Sequence, residues 1–135
     1  MKYIIPLVFF LASCTGERPT NLGVTEGKLA DCPDKPNCVS SYSTDEEHQI
    51  APLEASLQEI KKSLSQQERV KIIIEKDNYL YAEFTSRVMR FVDDVEFFAI
   101  PEMQVIHVRS ASRIGKSDLG VNRKRIEAIR ASLNE

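Results

Sequence analysis

The chain has 135 residues, 42% of them hydrophobic and 28% charged, with a formal net charge of −2 and no tryptophan. That length supports one domain with a modest single core. The slightly acidic balance excludes the bulk positive charge of a nucleic-acid binder, and no apolar run reaches the roughly 20 residues a spanning helix needs.

At the N-terminus Lys2 precedes an apolar stretch over residues 3–10, broken mildly by Pro6, and Leu11-Ala12-Ser13-Cys14 closes it. A basic start, a greasy middle and small residues before a cut have the order of a secretory signal. The closing residues resemble the lipobox of bacterial lipoproteins, whose cysteine becomes the acylated mature N-terminus. The resemblance implies that residues 1–13 are a signal peptide, that Cys14 carries a lipid (palmitate) anchor, and that the protein sits on a membrane of the cell envelope. The alternatives are an ordinary cleaved signal that leaves Cys14 free, and a disordered apolar start. Thr15 provides no aspartate retention signal, and similarity to Gram-negative lipoproteins then implies the periplasmic face of the outer membrane. Residues 14–30 are polar, contain Gly16, Pro19, Gly23 and Gly27, and lack periodicity. They read as a flexible tether leading to a single domain over residues 31–135.

Cys32 and Cys38 remain once Cys14 is acylated. Between them stand Pro33, Asp34, Lys35, Pro36 and Asn37, a stiff, tight loop. An exported protein permits a local disulfide there. Reduced thiols are one alternative and zinc another. Zinc favours closer cysteine pairs and further ligands, for which only His48 and His107 would supply nitrogen. Residues 39–47 read as irregular and exposed.

Pro52 suits a first helical position, and Leu53, Leu57, Ile60 and Leu64 follow at helical spacing, so an amphipathic helix is expected there, ending at Ser65-Gln66-Gln67. Residues 69–76 are rich in β-branched side chains, Asp77-Asn78 punctuates them, and residues 79–85 continue with aromatic alternation, the pattern of a β-hairpin. A second hairpin is expected over residues 92–110, with 101–104 as its loop and Pro101 at the first central turn position. Pairing Ile100 with Val105 puts Phe97 opposite Val108 and Ala99 opposite Ile106 on an apolar face that Val95 joins. Glu96 then faces Arg109, and Phe98 faces His107, on the other side. A one-residue slip would scatter charge over both faces. The last helix is expected to start near Asp118 as N-cap, with Leu119, Ile126, Ile129 and Leu133 as its stripe. The sum is an α+β domain: an antiparallel β-sheet of about four strands in two hairpins, with an N-terminal and a C-terminal helix on one face.

Chemistry concentrates late in the chain. Between Arg109 and Arg125 there are six basic residues and one acid, Asp118. Arg109, Ser110, Ser112, Arg113, Lys116, Ser117, Asn122 and Arg123 therefore form the candidate ligand site. They lie on a loop running into a helix N-terminus, where free N–H groups and the dipole favour anions. An anionic small molecule, a lipid headgroup or an acidic envelope protein would suit it. The structural alternative is that these arginines pair internally with Asp93, Asp94 and Glu96 and fasten the last helix to the sheet. A hydrolase built from Ser110 or Ser112, His107 and Asp93 or Asp94 is disfavoured, because His107 and Ser110 have opposite parity on one strand and neither serine sits in a nucleophile-elbow pattern. A cation site from Asp93, Asp94, Glu96 and Asp118 is disfavoured too, since neighbouring strand residues diverge. The reading favours a binding protein over an enzyme, with no catalytic residue, metal or cofactor assigned.

Three motifs carry a wider resemblance: Pro36-Asn37-Cys38-Val39-Ser40-Ser41, then Phe91-Val92-Asp93-Asp94-Val95-Glu96-Phe97, then Arg109-Ser110-Ala111-Ser112-Arg113 with Ser117-Asp118-Leu119-Gly120-Val121-Asn122-Arg123. Together they resemble the bacterial and plastid family catalogued as domain of unknown function 1499, over nearly all of the chain from Leu22 onward. Phe84-Thr85-Ser86-Arg87-Val88 looks less typical of it. The resemblance implies one folded domain and brings no activity, substrate or cofactor.

Overall fold

The computed structural model describes residues 15–134, so Cys14 and the stretch expected to be a signal peptide lie outside the described residues. The elements in chain order are β1 (Cys38–Ser40), α1 (Leu57–Ser65), β2 (Val70–Glu75), β3 (Tyr79–Thr85), β4 (Val92–Ile100), β5 (Val105–Ser112) and α2 (Val121–Leu133). The strands form one antiparallel sheet in the order β1-β5-β4-β3-β2. Both expected hairpins are present, and the second has the expected register: Ile100 pairs with Val105, Phe97 with Val108 and Glu96 with Arg109. The first hairpin carries an irregularity between Ile72 and Ile74, where one extra residue bends the strand.

Period-two alternation sends two different populations to the two faces. On one face Leu80, Ala82, Phe84, Val95, Phe97, Ile106 and Val108 meet Ile60 and Leu64 of α1 and Ile126 and Ile129 of α2. Both helices thus lie on that face, as expected, and their apolar stripes close the main core.

Four local expectations are corrected. The fifth strand is β1, in the stretch expected to be irregular and exposed. Cys38, Val39 and Ser40 are all buried and pair with Ala111, Ser110 and Arg109. Three residues are too short for an alternation signal, and the benefit, covering the free edge of β5, is non-local. Helix α1 begins at Leu57 and not at Pro52. Ser56 accepts from the Glu59 N–H while the Glu59 carboxylate accepts from the Ser56 N–H, a capping box that fixes the start. Leu53 still reaches the core, through a backbone bridge to Ile106. Leu119 is 86% exposed rather than part of the α2 stripe, because the chain turns through a positive φ of 54° at that residue before the helix starts.

Within residues 14–30, expected to be a flexible tether, the part from Arg18 onward lies against the second face of the sheet. Leu29 is buried there with Tyr79 and Tyr81, and Leu22 packs beside them. A disulfide joins Cys32 to Cys38, with 5.7 Å between their Cα atoms, and ties the end of this covering segment to β1.

Candidate functional site

The second face is polar and charged. Strand β3 contributes Tyr79, Tyr81 and Glu83, β4 contributes Asp94 and Glu96, and β5 with its exit contributes His107, Arg109 and Arg113. Glu96 is completely buried and Arg109 is 4% exposed. The Glu96 carboxylate accepts from the Tyr79 hydroxyl at 2.6 Å and from the Gly23 N–H at 2.8 Å, both on Oε2. Its Oε1 lies 3.8 Å from the Arg109 guanidinium, too long for a hydrogen bond. Among the described residues Glu96 Oε1 and Arg109 Nε have no hydrogen-bond partner. Burial pushes the Glu96 carboxyl above its ordinary range, opposed by Tyr79, Gly23 and Arg109. Burial likewise lowers the Arg109 guanidinium.

Beside this pair, Arg113 donates from Nη2 to Asp94 Oδ1 at 2.6 Å and to Glu83 Oε2 at 2.9 Å. Those contacts, led by Asp94, raise the Arg113 pKa further. Tyr81 donates to the same Asp94 oxygen, and burial followed by that carboxylate pushes its hydroxyl up. Arg18 of the covering segment reaches the other oxygen of Glu83. Burial would raise the Glu83 carboxyl, but the two guanidiniums outweigh it and hold it below its usual range.

The predicted basic loop is therefore not one open anion site. Arg109 and Arg113 point into the charged face. Arg123 donates to the Gln49 and Glu47 carbonyls, and Arg125, which the sequence reading did not single out, reaches Asp93 at 2.5 Å on the helix face. Ser110 donates to Asn122 Oδ1, and Ser112 accepts from Asn122 Nδ2. The Ser117 hydroxyl accepts from the Leu119 N–H, and Lys116 stands exposed. The N-terminus of α2, where an anion was expected, already holds a carboxylate: Asp118 accepts from the Gly120 and Asn122 N–H groups. Asp118 thus supports the helix start as expected, although the N-cap position itself belongs to Gly120.

Nor do the hydrolase residues converge. Ser110 faces α2, while His107 lies on the other side of β5, with its Nδ1 2.9 Å from Ser41 Oγ and its ring stacked on Tyr42 at 4.1 Å. Ser41 Oγ also accepts from the Val108 N–H, so that hydroxyl is committed to the backbone. Asp93 and Asp94 diverge to opposite faces. The sequence reading missed Tyr79, Tyr81, Glu83 and the covering segment. The alternation of β3 carried a signal for the first three, since Tyr79, Tyr81 and Glu83 share a parity that aims them at one face.

A five-stranded antiparallel sheet with two helices on one face and a buried charge network on the other defines a small α+β domain. The chain belongs to the family described as protein of unknown function (DUF1499), whose model matches residues 28–133. That span includes every charged group on the second face except Arg18 of the covering segment. No curated protein and no solved structure matches the chain.

Proposed function

We propose that this protein is a cell-envelope lipoprotein, anchored through Cys14, that works as a binding module, and that its binding surface is the charged second face of the sheet. One observation carries the reading: Glu96 and Arg109 are buried with polar atoms left unpartnered. A brace made of buried charge is a poor one, because well-packed apolar residues stabilise as much or more. That cost supports a role in recognition, by a partner that displaces residues 18–31 from the face.

The chemistry of the partner follows from what covers the face. The covering segment presents a guanidinium, Arg18, to Glu83 and a backbone N–H, Gly23, to Glu96. Without Arg18 the face holds Glu83, Asp94 and Glu96 against Arg109 and Arg113, an excess of one negative charge. An extended, basic segment of an envelope protein would suit it better than the anion expected of the basic loop.

The test uses the double variant Glu96→Leu with Arg109→Met in the native host. The reading expects a folded, normally exported protein that fails to replace the wild type in a strain lacking the gene. Full complementation by that variant would reduce the charged pair to packing and overturn the binding face. Mass spectrometry of the N-terminal peptide checks acylation of Cys14 separately.

A further inference from the structure

The exposed apolar side chains of the domain gather at one end of the sheet. Among the described residues the large hydrophobics left exposed are eight, and six of them are Val88, Met89, Phe91, Ile114, Leu119 and Val121. Val88 and Met89 are 82% and 64% exposed. They occupy the tip of the β3–β4 turn, which Ser86 closes by donating its N–H to the Phe91 carbonyl and accepting the Phe91 N–H at its hydroxyl. Because β3 ends, β4 begins and β5 ends on the same side, this tip lies at the same end of the sheet as Ile114 and the loop that leads into α2. Arg113, just past β5, donates its N–H to the Val92 carbonyl, which ties the two loops together. Isolated exposed hydrophobics need no explanation, but a cluster of this kind marks an interaction surface.

Charge gives the surface its sign. Across residues 86–91 and 114–121, Arg87, Arg90 and Lys116 face one acid, Asp118, whose carboxylate is already taken up by the N–H groups of the helix start. Exposed acids near this end are Glu17, beside Gly16, Asp34, and Glu47, which lines one pocket with Ser117 and Asp118. The chain also enters here: a Cβ on Gly16 would lie 2.7 Å from Ile114 Cγ2, so residue 16 passes directly against Ile114, two residues after Cys14.

We infer that this end of the domain docks on the bilayer, with the 86–91 loop seated in the lipid interface and its arginines against anionic headgroups. The inference rests on the proposed lipid anchor at Cys14, which would leave the chain beside Ile114 and hold the apolar tip at the membrane. The anchor holds the chain at the membrane, and an apolar, basic surface beside it adds a second contact with anionic lipid. Docking this end also turns the opposite end of the sheet, with Met103, away from the membrane.

The chain contains no tryptophan, so one introduced indole is a clean reporter. The full-length lipoprotein carrying M89W, or M103W as the control, is purified from its host and reconstituted into vesicles of brominated phosphatidylcholine mixed with phosphatidylglycerol. The expected result is at least about a twofold loss of M89W emission, as for an aromatic ring at the headgroup level, with M103W unaffected. Adding Val88→Asp to M89W should restore the emission, and this exposed change leaves the core intact. Equal quenching of both reporters, or none for M89W in acylated protein, overturns the docking surface. A blue-shifted but unquenched M89W means that protein rather than lipid covers the loop, and overturns it too. The intact mass of the same samples reports the anchor independently: quenched M89W on an unacylated chain keeps the docking surface and removes the anchor, whereas an unacylated and unquenched chain removes both.

Discussion

Glu96 and Arg109 face each other across β4 and β5 with 3.8 Å between carboxylate oxygen and guanidinium, and both are sealed beneath the chain's own N-terminal residues. Truncating one member leaves the other charged and buried. Glu96→Ala is expected to cost about 3–5 kcal/mol, whereas Glu96→Leu with Arg109→Met is expected to be neutral or stabilising by about 1–4 kcal/mol. Urea denaturation of the single and double variants checks this, and an equal loss in both would contradict it.

Reduction of the disulfide frees the junction between the covering segment and β1. The loop between Cys32 and Cys38 is short, so the chain-entropy contribution is about 2–3 kcal/mol. Asn37, next to Cys38, donates to the Gly115 carbonyl and accepts at its own carbonyl from Asn122, so β1 and the entry to α2 should loosen with it. Thermal melts with and without reductant measure the loss, and hydrogen exchange should place it first at residues 37–40 and 115–122.

The two histidines are expected to titrate on opposite sides of the ordinary imidazole value of about 6.5. His48 donates from Nε2 to the Lys35 carbonyl and sits on Asp45, and that carbonyl first, then Asp45, raises its pKa. Burial alone lowers that of His107. The stabilisation from His48 is complete below the unfolded pKa and is lost as pH rises through the raised folded value. That from His107 is complete above the unfolded pKa and is lost as pH falls toward its lowered folded value. Proton NMR titration of the two rings tests the order, and His48→Gln should remove the loss of stability on the alkaline side only.

Asn122 is fully buried and links five partners: Ser110, Ser112, Asp118, Arg125 and the Asn37 carbonyl. Asn122→Ala leaves several of these without a partner and should destabilise by about 3 kcal/mol, at the upper end for an unsatisfied buried group. Asn122→Asp should not rescue it, since it loses both amide donors while adding a charge beside Asp118. Equilibrium unfolding of both variants gives the comparison.

The amino-acid order by itself determined the two hairpins, the register of β4 on β5, the helix stripes from Ile60 to Ile129 and the family to which the chain belongs. Side-chain alternation has a period of two, and a wrong register would have exposed Phe97 and Val108 while burying charge. It also brought Asp93, Asp94 and Glu96 into view beside the late arginines, because both lie on paired strands. Which arginine meets which acid was decided only by the tertiary structure. Successive residues on a strand point to opposite faces, so Asp93 goes to Arg125 on α2 while Asp94 goes to Arg113 beneath the N-terminal segment. That segment could not be read from its own pattern: Arg18, Gly23 and Leu29 show no periodicity, and their positions follow from Glu83, Glu96 and Tyr81, more than fifty residues away. Strand β1 is legible only against the free edge of β5. Local patterns carry the information for elements that repeat along the chain, and long-range pairing carries it for everything that must find a partner across the fold.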